Sequence, residues 1–367
     1  MVMKEFNLEE FLSDGVENTV KSIAKVSLLH PQAGKFMMQH IMESKQARKK
    51  RADAEKNGRH IPPFLIASIT NRCNLHCRGC YSRANNACVD GDCASGVLSA
   101  EDWNDIFCQA GDIGVEFILL AGGEPFVRKD VLSAAAKNRR ILFPIFTNGT
   151  MMDEAALDLM EQSRNLMPVI SIEGDEKLTD ERRGAGVYSK LRAAMRELNK
   201  RGILFGASVT VSKGNMKEVL SESFIAGLEE AGAKAVVFVE YVPVNKDAEA
   251  ALDDADRADM AGRIKALRNS VGRMLLISFP GDEEECGGCL AAGRGFFHIN
   301  AYGGAEPCPF SPYSDSNVKD SGLLGALQSP LFTKLKQNGN LAQEHTGGCT
   351  LFQQQKQVRE LLSEVTE

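Results

Sequence analysis

The sequence predicts an α/β fold: a partial, open barrel of six βα units, with a helical segment before it and a small cysteine-rich segment after it. Three observations carry this. From Phe64 onward, short apolar runs alternate with amphipathic stretches, the pattern of βαβ units and a parallel sheet. Glycine-rich and polar motifs stand where the apolar runs end, and parallel sheets place their ligand sites at the carboxyl ends of strands. The ten cysteines form two groups, with none between Cys108 and Cys286, which suggests two metal sites on separate parts of the fold.

Residues 1–60 read as helical, Leu8 to His30 and Ala33 to Asn57, with Pro31 between them. The basic run Lys45 to Arg51 reads as a solvated helix end whose apolar half packs on the rest, in preference to a helix lying on a membrane. Arg59 to Pro63 is a stiff connector. The expected strands are Phe64–Thr70, Val115–Ala121, Ile141–Phe146, Met167–Ile172, Ile203–Val211, Ala235–Val242 and Met274–Phe279. Between them, helices are expected from Ser99 (a capping signal with Asp102) to Asp112, then Asp130–Arg139, Asp153–Ser163, Tyr188–Lys200, Met216–Ala231 and Asp253–Val271. Phe296–Asn300 and Ala305–Glu306 flank a Gly-Gly turn and read as a hairpin. Six βα units are too few for a closed eight-stranded barrel and leave room for a large substrate at the side. The expected organisation is 1–60 helical, 61–272 barrel and 273–367 cysteine-rich.

A hydrophobic content of 43% with 25% charged residues fits a globular chain. The net charge of −6 argues against a nucleic-acid-binding surface. No apolar run is long enough to span a bilayer, and Met1-Val-Met-Lys-Glu-Phe-Asn7 lacks the order of a secretory signal. The expectation is a cytoplasmic protein without membrane contact. In a reducing compartment, ten cysteines indicate metal binding or redox chemistry before disulfides.

Cys73, Cys77 and Cys80 stand in the spacing CxxxCxxC. Three thiolates on one loop can reach one centre, and soft sulfur selects iron–sulfur clusters or zinc. The loop supplies three of about four ligands; His76 lies between two of the cysteines with little freedom to turn inward. Gly122-Gly123-Glu124-Pro125 ends the second strand, Thr147-Asn148-Gly149 the third and Ser171-Ile172-Glu173-Gly174 the fourth. Each alone reads as a turn. Arg182 and Arg183 follow, and Ser208, Thr210 and Asn215 lie on or just after the fifth strand. Cys286, Cys289, Cys308 and Cys349 suit one 4Fe-4S cluster or one zinc. Cys88 and Cys93 are open between free thiols, a redox pair and lid residues, and Cys108 reads as core.

Taken in that order, the motifs of residues 62–355 resemble the radical S-adenosylmethionine (SAM) enzymes. The resemblance implies a partial TIM-like barrel. It implies a 4Fe-4S cluster on Cys73, Cys77 and Cys80 whose open iron binds SAM. Reduction would cleave SAM to a 5′-deoxyadenosyl radical that takes hydrogen from a substrate. By the same resemblance Gly122, Gly123, Glu124 and Pro125 hold the SAM amino group, and Thr147 and Asn148 lie beside the pocket. Ser171 and Glu173 face the ribose, with Glu where Asp is common; Arg183 pairs with the carboxylate, and Ser208 is a further pocket residue. Many family loops carry an aromatic just before the third cysteine; here Gly79 holds that place and Tyr81 follows. That Cys-Tyr version resembles the peptide-modifying and cofactor-maturing branches. The C-terminal cysteines resemble the SPASM auxiliary domain in its shortened "twitch" form, implying a second, auxiliary 4Fe-4S cluster on Cys286, Cys289, Cys308 and Cys349. The implied partners are a peptide or small-molecule substrate and a low-potential electron donor of flavodoxin or ferredoxin type. Residues 1–60 lack the strands of a winged-helix leader-binding domain, so peptide and cofactor-precursor substrates both stay open. No residue stands out as catalytic acid or base. A zinc-binding interaction protein on an α/β scaffold is the rival reading.

Overall fold

In a computed structural model, the described residues are Lys21, 31–91, 95–244, 247–270, 274–339, 341 and 349–366. The expected helix Leu8–His30, apart from Lys21, and Cys93 lie outside them. One sheet of nine strands organises the chain: β1 Phe64–Ser68, β2 Phe117–Ala121, β3 Phe143–Thr147, β4 Leu166–Ser171, β5 Gly206–Val211, β6 Ala235–Glu240, β7 Leu275–Phe279, β8 His298–Ile299 and β9 Ala305–Glu306. The order is β7-β6-β5-β4-β3-β2-β1-β8-β9. Strands β1 to β7 run parallel, β8 pairs parallel with β1, and β9 returns antiparallel to β8. The cysteine-rich segment thus contributes strands to both ends of the sheet.

Strand residues alternate between two faces. Leu65, Ala67, Ile118, Leu120, Phe143 and Ile145 face the main hydrophobic core. Phe64, Ile66, Phe117, Leu119, Phe146, Val169, Gly206, Val237 and Ile277 line one cavity of about 370 Å³ on the other face. Since all seven parallel strands reach that cavity, the sheet curls around it as an open barrel.

The helices are α1 Pro31–Lys56, α2 Tyr81–Ala84, α3 Ala100–Ile113, α4 Lys129–Lys137, α5 Glu154–Gln162, α6 Glu176–Arg183, α7 Val187–Lys200, α8 Met216–Val219, α9 Glu222–Glu230, α10 Asp254–Ser270, α11 Val318–Leu327, α12 Pro330–Gln337, α13 Thr350–Gln353 and α14 Gln355–Thr366. The capping signal before α3 is a full capping box between Ser99 and Asp102, of the kind that contributes about 1 kcal/mol. Three expectations are corrected. Met216–Ala231 is two helices, because the Ser221 side chain accepts from Phe224 N and starts a second one. Cys108 is exposed: α3 buries Trp103, Ile106, Phe107 and Ala110, and the next position after Phe107 has rotated out of that stripe. Arg51, at the end of the basic run, is fully buried rather than solvated.

Helix α1 closes the amino end of the barrel. Met37 packs with Phe117, Leu142, Met167 and Leu204, all at or near strand starts. Farther along, Arg51 Nη1 meets Glu116 Oε1 at 2.7 Å and donates to the Gly114 carbonyl at 2.6 Å, while Ser44 bonds to the other carboxylate oxygen. His40 sits between Phe36 and Phe117, with ring centroids 5.8 and 6.3 Å away. Neither of its ring nitrogens has a hydrogen-bond partner among the described residues. Burial lowers its pKa from 6.5 to about 4.

Two outcomes are expected. Arg51→Ala leaves the Glu116 carboxylate buried without a counter-charge and should cost about 3–5 kcal/mol in urea unfolding, whereas Arg51→Met paired with Glu116→Leu should recover most of the loss. For His40, the unfolded state binds the proton more readily than the folded state. Stability is therefore full above the unfolded value of 6.5 and falls as the pH drops toward the folded value of about 4. The urea midpoint should drop more between pH 7 and pH 5 in the parent chain than in His40→Leu; equal drops would refute this account.

Candidate active site

The loop between β1 and α2 carries Cys73, Cys77 and Cys80, all half-buried. Backbone bonds from the next strand end fix its entry: Gly123 N donates to Thr70 O at 3.0 Å and Glu124 N to Arg72 O at 2.7 Å. Only glycine fits here. A Cβ on Gly122 would stand 2.3 Å from Thr70 O, and one on Gly123 would stand 1.8 Å from Arg72 O. At its far side the loop is held by Arg78 N, which donates to Arg182 O at 2.7 Å.

Glu124 is buried, and each of its oxygens has work. Oε1 accepts from Thr147 Oγ1 at 2.7 Å and Phe126 N at 3.2 Å, and Oε2 accepts from Asn148 N at 2.8 Å. Burial pushes its pKa up and these donors pull it back. Asn148 Nδ2 in turn donates to Asn74 Oδ1 at 2.9 Å inside the cysteine loop. Glu124 therefore ties the second and third strand ends to the thiols. Gly149 has a φ of 71°, the left-handed turn expected of it.

Glu173 does something the sequence did not reveal. Its Oε1 accepts from Arg182 and from Arg183 Nε at 2.9 Å, and its Oε2 from Thr210 N at 3.1 Å. The carboxylate is committed to two guanidinium groups and one backbone amide. Both arginines end α6, a helix not foreseen from the sequence, started by Asp175 as its cap. Arg183 Nη1 lies 4.0 Å from Cys77 Sγ. Burial pushes the Cys77 thiol up, while Arg183 and Arg182 draw it down. Ser171 Oγ and Ser208 Oγ are 3.0 Å apart on neighbouring strand ends.

These groups meet in one pocket of about 210 Å³, lined by Cys73, Cys77, Cys80, Tyr81, Gly122–Glu124, Thr147, Asn148, Ser171, Arg183 and Ser208. Pro125 begins a short turn of helix behind it and is buried. The pocket shares Tyr81, Ala121, Phe146, Glu240, Val242 and Phe310 with the barrel cavity, so the two are continuous. Tyr81 leans on Phe310 with ring centroids 5.1 Å apart. Cys289, Cys308 and Cys349 line the barrel cavity, and the Cys308 and Cys349 thiols are hydrogen-bonded. Cys286 is buried nearby with its thiol 3.6 Å from Asp282 O. Cys88 is buried with its thiol on Cys73. Sequence reasoning missed Glu240, which lines both cavities and pairs with Arg257 Nε at 2.9 Å. An acid at the last position of a buried strand was the available signal.

Among the described residues no three Cys, His, Asp or Glu side chains close around a single ion position. The fit to a cluster rests instead on donor chemistry. Three soft thiols share one pocket with a partly buried arginine and a side-chain-free Gly-Gly turn, which suits an iron–sulfur cluster with a zwitterionic ligand beside it.

Residues 67–220 match the family model described as the Radical SAM superfamily. Fe-coproporphyrin III synthase of Methanosarcina barkeri is 25% identical over 60% of this chain and 54% of its own, so the chain spans about half of that relative. AdoMet-dependent heme synthase of the same organism is 24% identical over 80% of this chain and 89% of its own. Among solved structures, SuiB of Streptococcus suis bound to S-adenosylmethionine superposes with a TM-score of 0.65 at 20% identity, covering 81% of this chain and 73% of SuiB. SuiB has also been solved with its precursor peptide SuiA. No helix of the described residues is long and apolar enough to cross a membrane. The three-thiol loop and the motifs at the ends of β2 to β5 lie within the matched stretch, so residues 67–220 carry a radical SAM domain.

Proposed function

We propose that the chain is a SPASM/twitch-type radical SAM enzyme acting on a peptide or a cofactor precursor such as a tetrapyrrole. One observation carries the reading: the pocket that holds Cys73, Cys77 and Cys80 opens into a cavity that holds Cys289, Cys308 and Cys349. A 4Fe-4S cluster on the first three thiols, with SAM beside it, supplies a 5′-deoxyadenosyl radical on reduction. The chain's own part is orientation. Arg183, fixed by Glu173, offers a guanidinium to the SAM carboxylate. The Gly122–Pro125 backbone receives the amino group, Thr147 and Asn148 border it, and the Ser171–Ser208 hydroxyl pair faces the ribose. Tyr81 and Phe310 form the wall between cofactor and substrate cavities. The apolar strand residues of the larger cavity exclude water from the reacting carbon.

The second cluster in this reading is a 4Fe-4S on Cys286, Cys289, Cys308 and Cys349. Residues 61–272 serve as the SAM-cleaving unit and 273–367 as the auxiliary unit, and within the segment 1–60 helix α1 plugs the barrel. A flavodoxin- or ferredoxin-type donor supplies the electron, in the cytoplasm and without nucleic acid. Two relatives are named as porphyrin or heme synthases and SuiB was solved with a peptide, so both substrate classes are retained.

Anaerobic preparation should yield about eight irons per chain, the content of two 4Fe-4S clusters, and dithionite should release 5′-deoxyadenosine from SAM. A colourless chain holding zinc would overturn the reading in favour of an interaction protein. Cys73→Ala should abolish SAM cleavage, and Cys349→Ala should lower iron to about four per chain and lose product. Gly123→Ala, driven into the Arg72 carbonyl, should weaken SAM binding by about tenfold or more, about 1.4 kcal/mol, by calorimetry on protein of matched iron content.

A further inference from the structure

The thiol pocket, at about 210 Å³, is smaller than the roughly 300 Å³ at which sites for drug-sized ligands begin. Two larger spaces adjoin it. One is the apolar barrel cavity. The other is a polar cleft of about 460 Å³ between the thiol loop, α6 and the loops that follow β5 and β6. Arg78, Thr210, Ser212, Lys213, Asn215 and Asp247 are among the residues that line it. The cleft and the thiol pocket share Gly79, Arg182, Thr210 and Tyr241, so they are continuous. Among the described residues the cleft and the barrel cavity share none. The thiol pocket is therefore a middle chamber that opens on one side to an apolar space and on the other to a polar one.

Tyr241 stands at the boundary between the thiol pocket and the cleft. It directly follows β6, and its amide donates to Val211 O at 2.8 Å, which fixes its backbone against the end of β5. The side chain is buried, and its ring lies over Gly79. A Cβ on Gly79 would stand 2.7 Å from Tyr241 Cε2 and 2.8 Å from Tyr241 Oη. Gly79 also has a φ of 69°, in the left-handed region that favours glycine. Position 79 thus has no room for a side chain of its own, because the ring of Tyr241 fills that space. Many radical SAM loops carry an aromatic just before the third cysteine; here the ring beside that position comes from the end of β6.

The strand order gives the ligand a direction. In the function proposed above, on which this inference rests, the amino-acid end of SAM lies at Gly122–Pro125 after β2, and the ribose at Ser171 and Ser208 on β4 and β5. The sheet runs β2-β3-β4-β5-β6. A ligand that continues past the ribose in the same direction reaches Thr210 on β5 and then Tyr241 after β6. What remains of SAM there is adenine, a flat ring with a polar edge. Its face favours an aromatic side chain. Its edge favours the polar cleft over the apolar barrel cavity, where buried donors and acceptors would go unpaired. We propose that Tyr241 receives the face of the adenine at the mouth of the cleft and is the specificity-determining residue for the nucleoside end of SAM. The barrel cavity is then left whole for the substrate, on the other side of the thiols.

Equilibrium dialysis of the iron-loaded chain against SAM, 5′-deoxyadenosine and L-methionine separates the two ends of the ligand. At matched iron content, Tyr241→Leu should weaken SAM and 5′-deoxyadenosine about tenfold, the scale of one base–aromatic stack, and leave L-methionine unchanged. Tyr241→Phe keeps the ring and should hold all three within about twofold. Gly79→Ala strikes the ring and should also weaken 5′-deoxyadenosine. Added to Tyr241→Leu it should cost little more, because the ring it strikes is gone. An unchanged affinity of Tyr241→Leu for 5′-deoxyadenosine would overturn the inference. So would an equal loss of L-methionine, the mark of a loosened thiol loop, or a Tyr241→Phe as weak as Tyr241→Leu. A parent chain that binds no SAM would overturn the function itself and this inference with it, whereas a parent that binds SAM and a Tyr241→Leu that binds it equally well would overturn the inference alone.

Discussion

The site depends on a backbone contact with no side chain in it. Gly122 and Gly123 press against Thr70 and Arg72 so closely that a single methyl group on either would overlap a carbonyl oxygen. Two backbone hydrogen bonds hold the contact, and Glu124, the next residue, turns its buried carboxylate to the third strand end. Three loops that are distant in sequence are thereby locked to one another. A buried carboxylate that is fully hydrogen-bonded is costly to disturb, since any donor removed leaves charge unpaired in a low-dielectric site. The thiol loop inherits its shape from this junction.

The same geometry explains why the fold was readable and parts of the site were not. Apolar runs and capping residues such as Ser99 identified the parallel strands and most helices, because those signals are local. The motif residues at strand ends were also visible, since a glycine pair or a Ser-Ile-Glu-Gly stands out from a strand. What stayed hidden was tertiary. Arg51 looked like one more solvated cation until Glu116 was found beneath it. Cys108 looked like core because Phe107 precedes it, yet one residue is a rotation of about 100° on a helix. Cys88 gave no hint that its thiol would meet Cys73. His298 and Glu306 were no more than two polar residues in a short hairpin until β8 paired with β1 and brought Ser68 alongside.

Continuity between the cavities gives the architecture its sense. Helix α1 stops the amino end of the barrel with Met37 and its neighbours, so the interior opens toward the carboxyl end. There the thiol pocket and the apolar cavity share a wall of Tyr81 and Phe310, one from the thiol loop and one from just beyond Cys308. The two cysteine groups, far apart in the chain, become neighbours across this aromatic pair because β8 and β9 extend the sheet from β1 itself. A C-terminal hairpin added to the other edge would have left Cys308 on the far side of β7.

Glu173 shows how a departure from a motif acquires a reason. At the end of β4, a carboxylate must span to Arg182 and Arg183 on α6 and to the Thr210 amide on β5. Aspartate is one methylene shorter, and from the same backbone position its oxygens fall short of at least one of those partners. The extra reach of glutamate draws both arginines under one carboxylate and leaves Arg183 aimed toward Cys77. Two adjacent cations would otherwise repel each other in a partly buried site. Sharing one anion lets them stand together, with α6 capped by Asp175 at one end and stitched to the thiol loop through Arg78 N at the other. The residue that looked like a weakened ribose contact is, in this fold, the anchor of the arginine that faces the thiols.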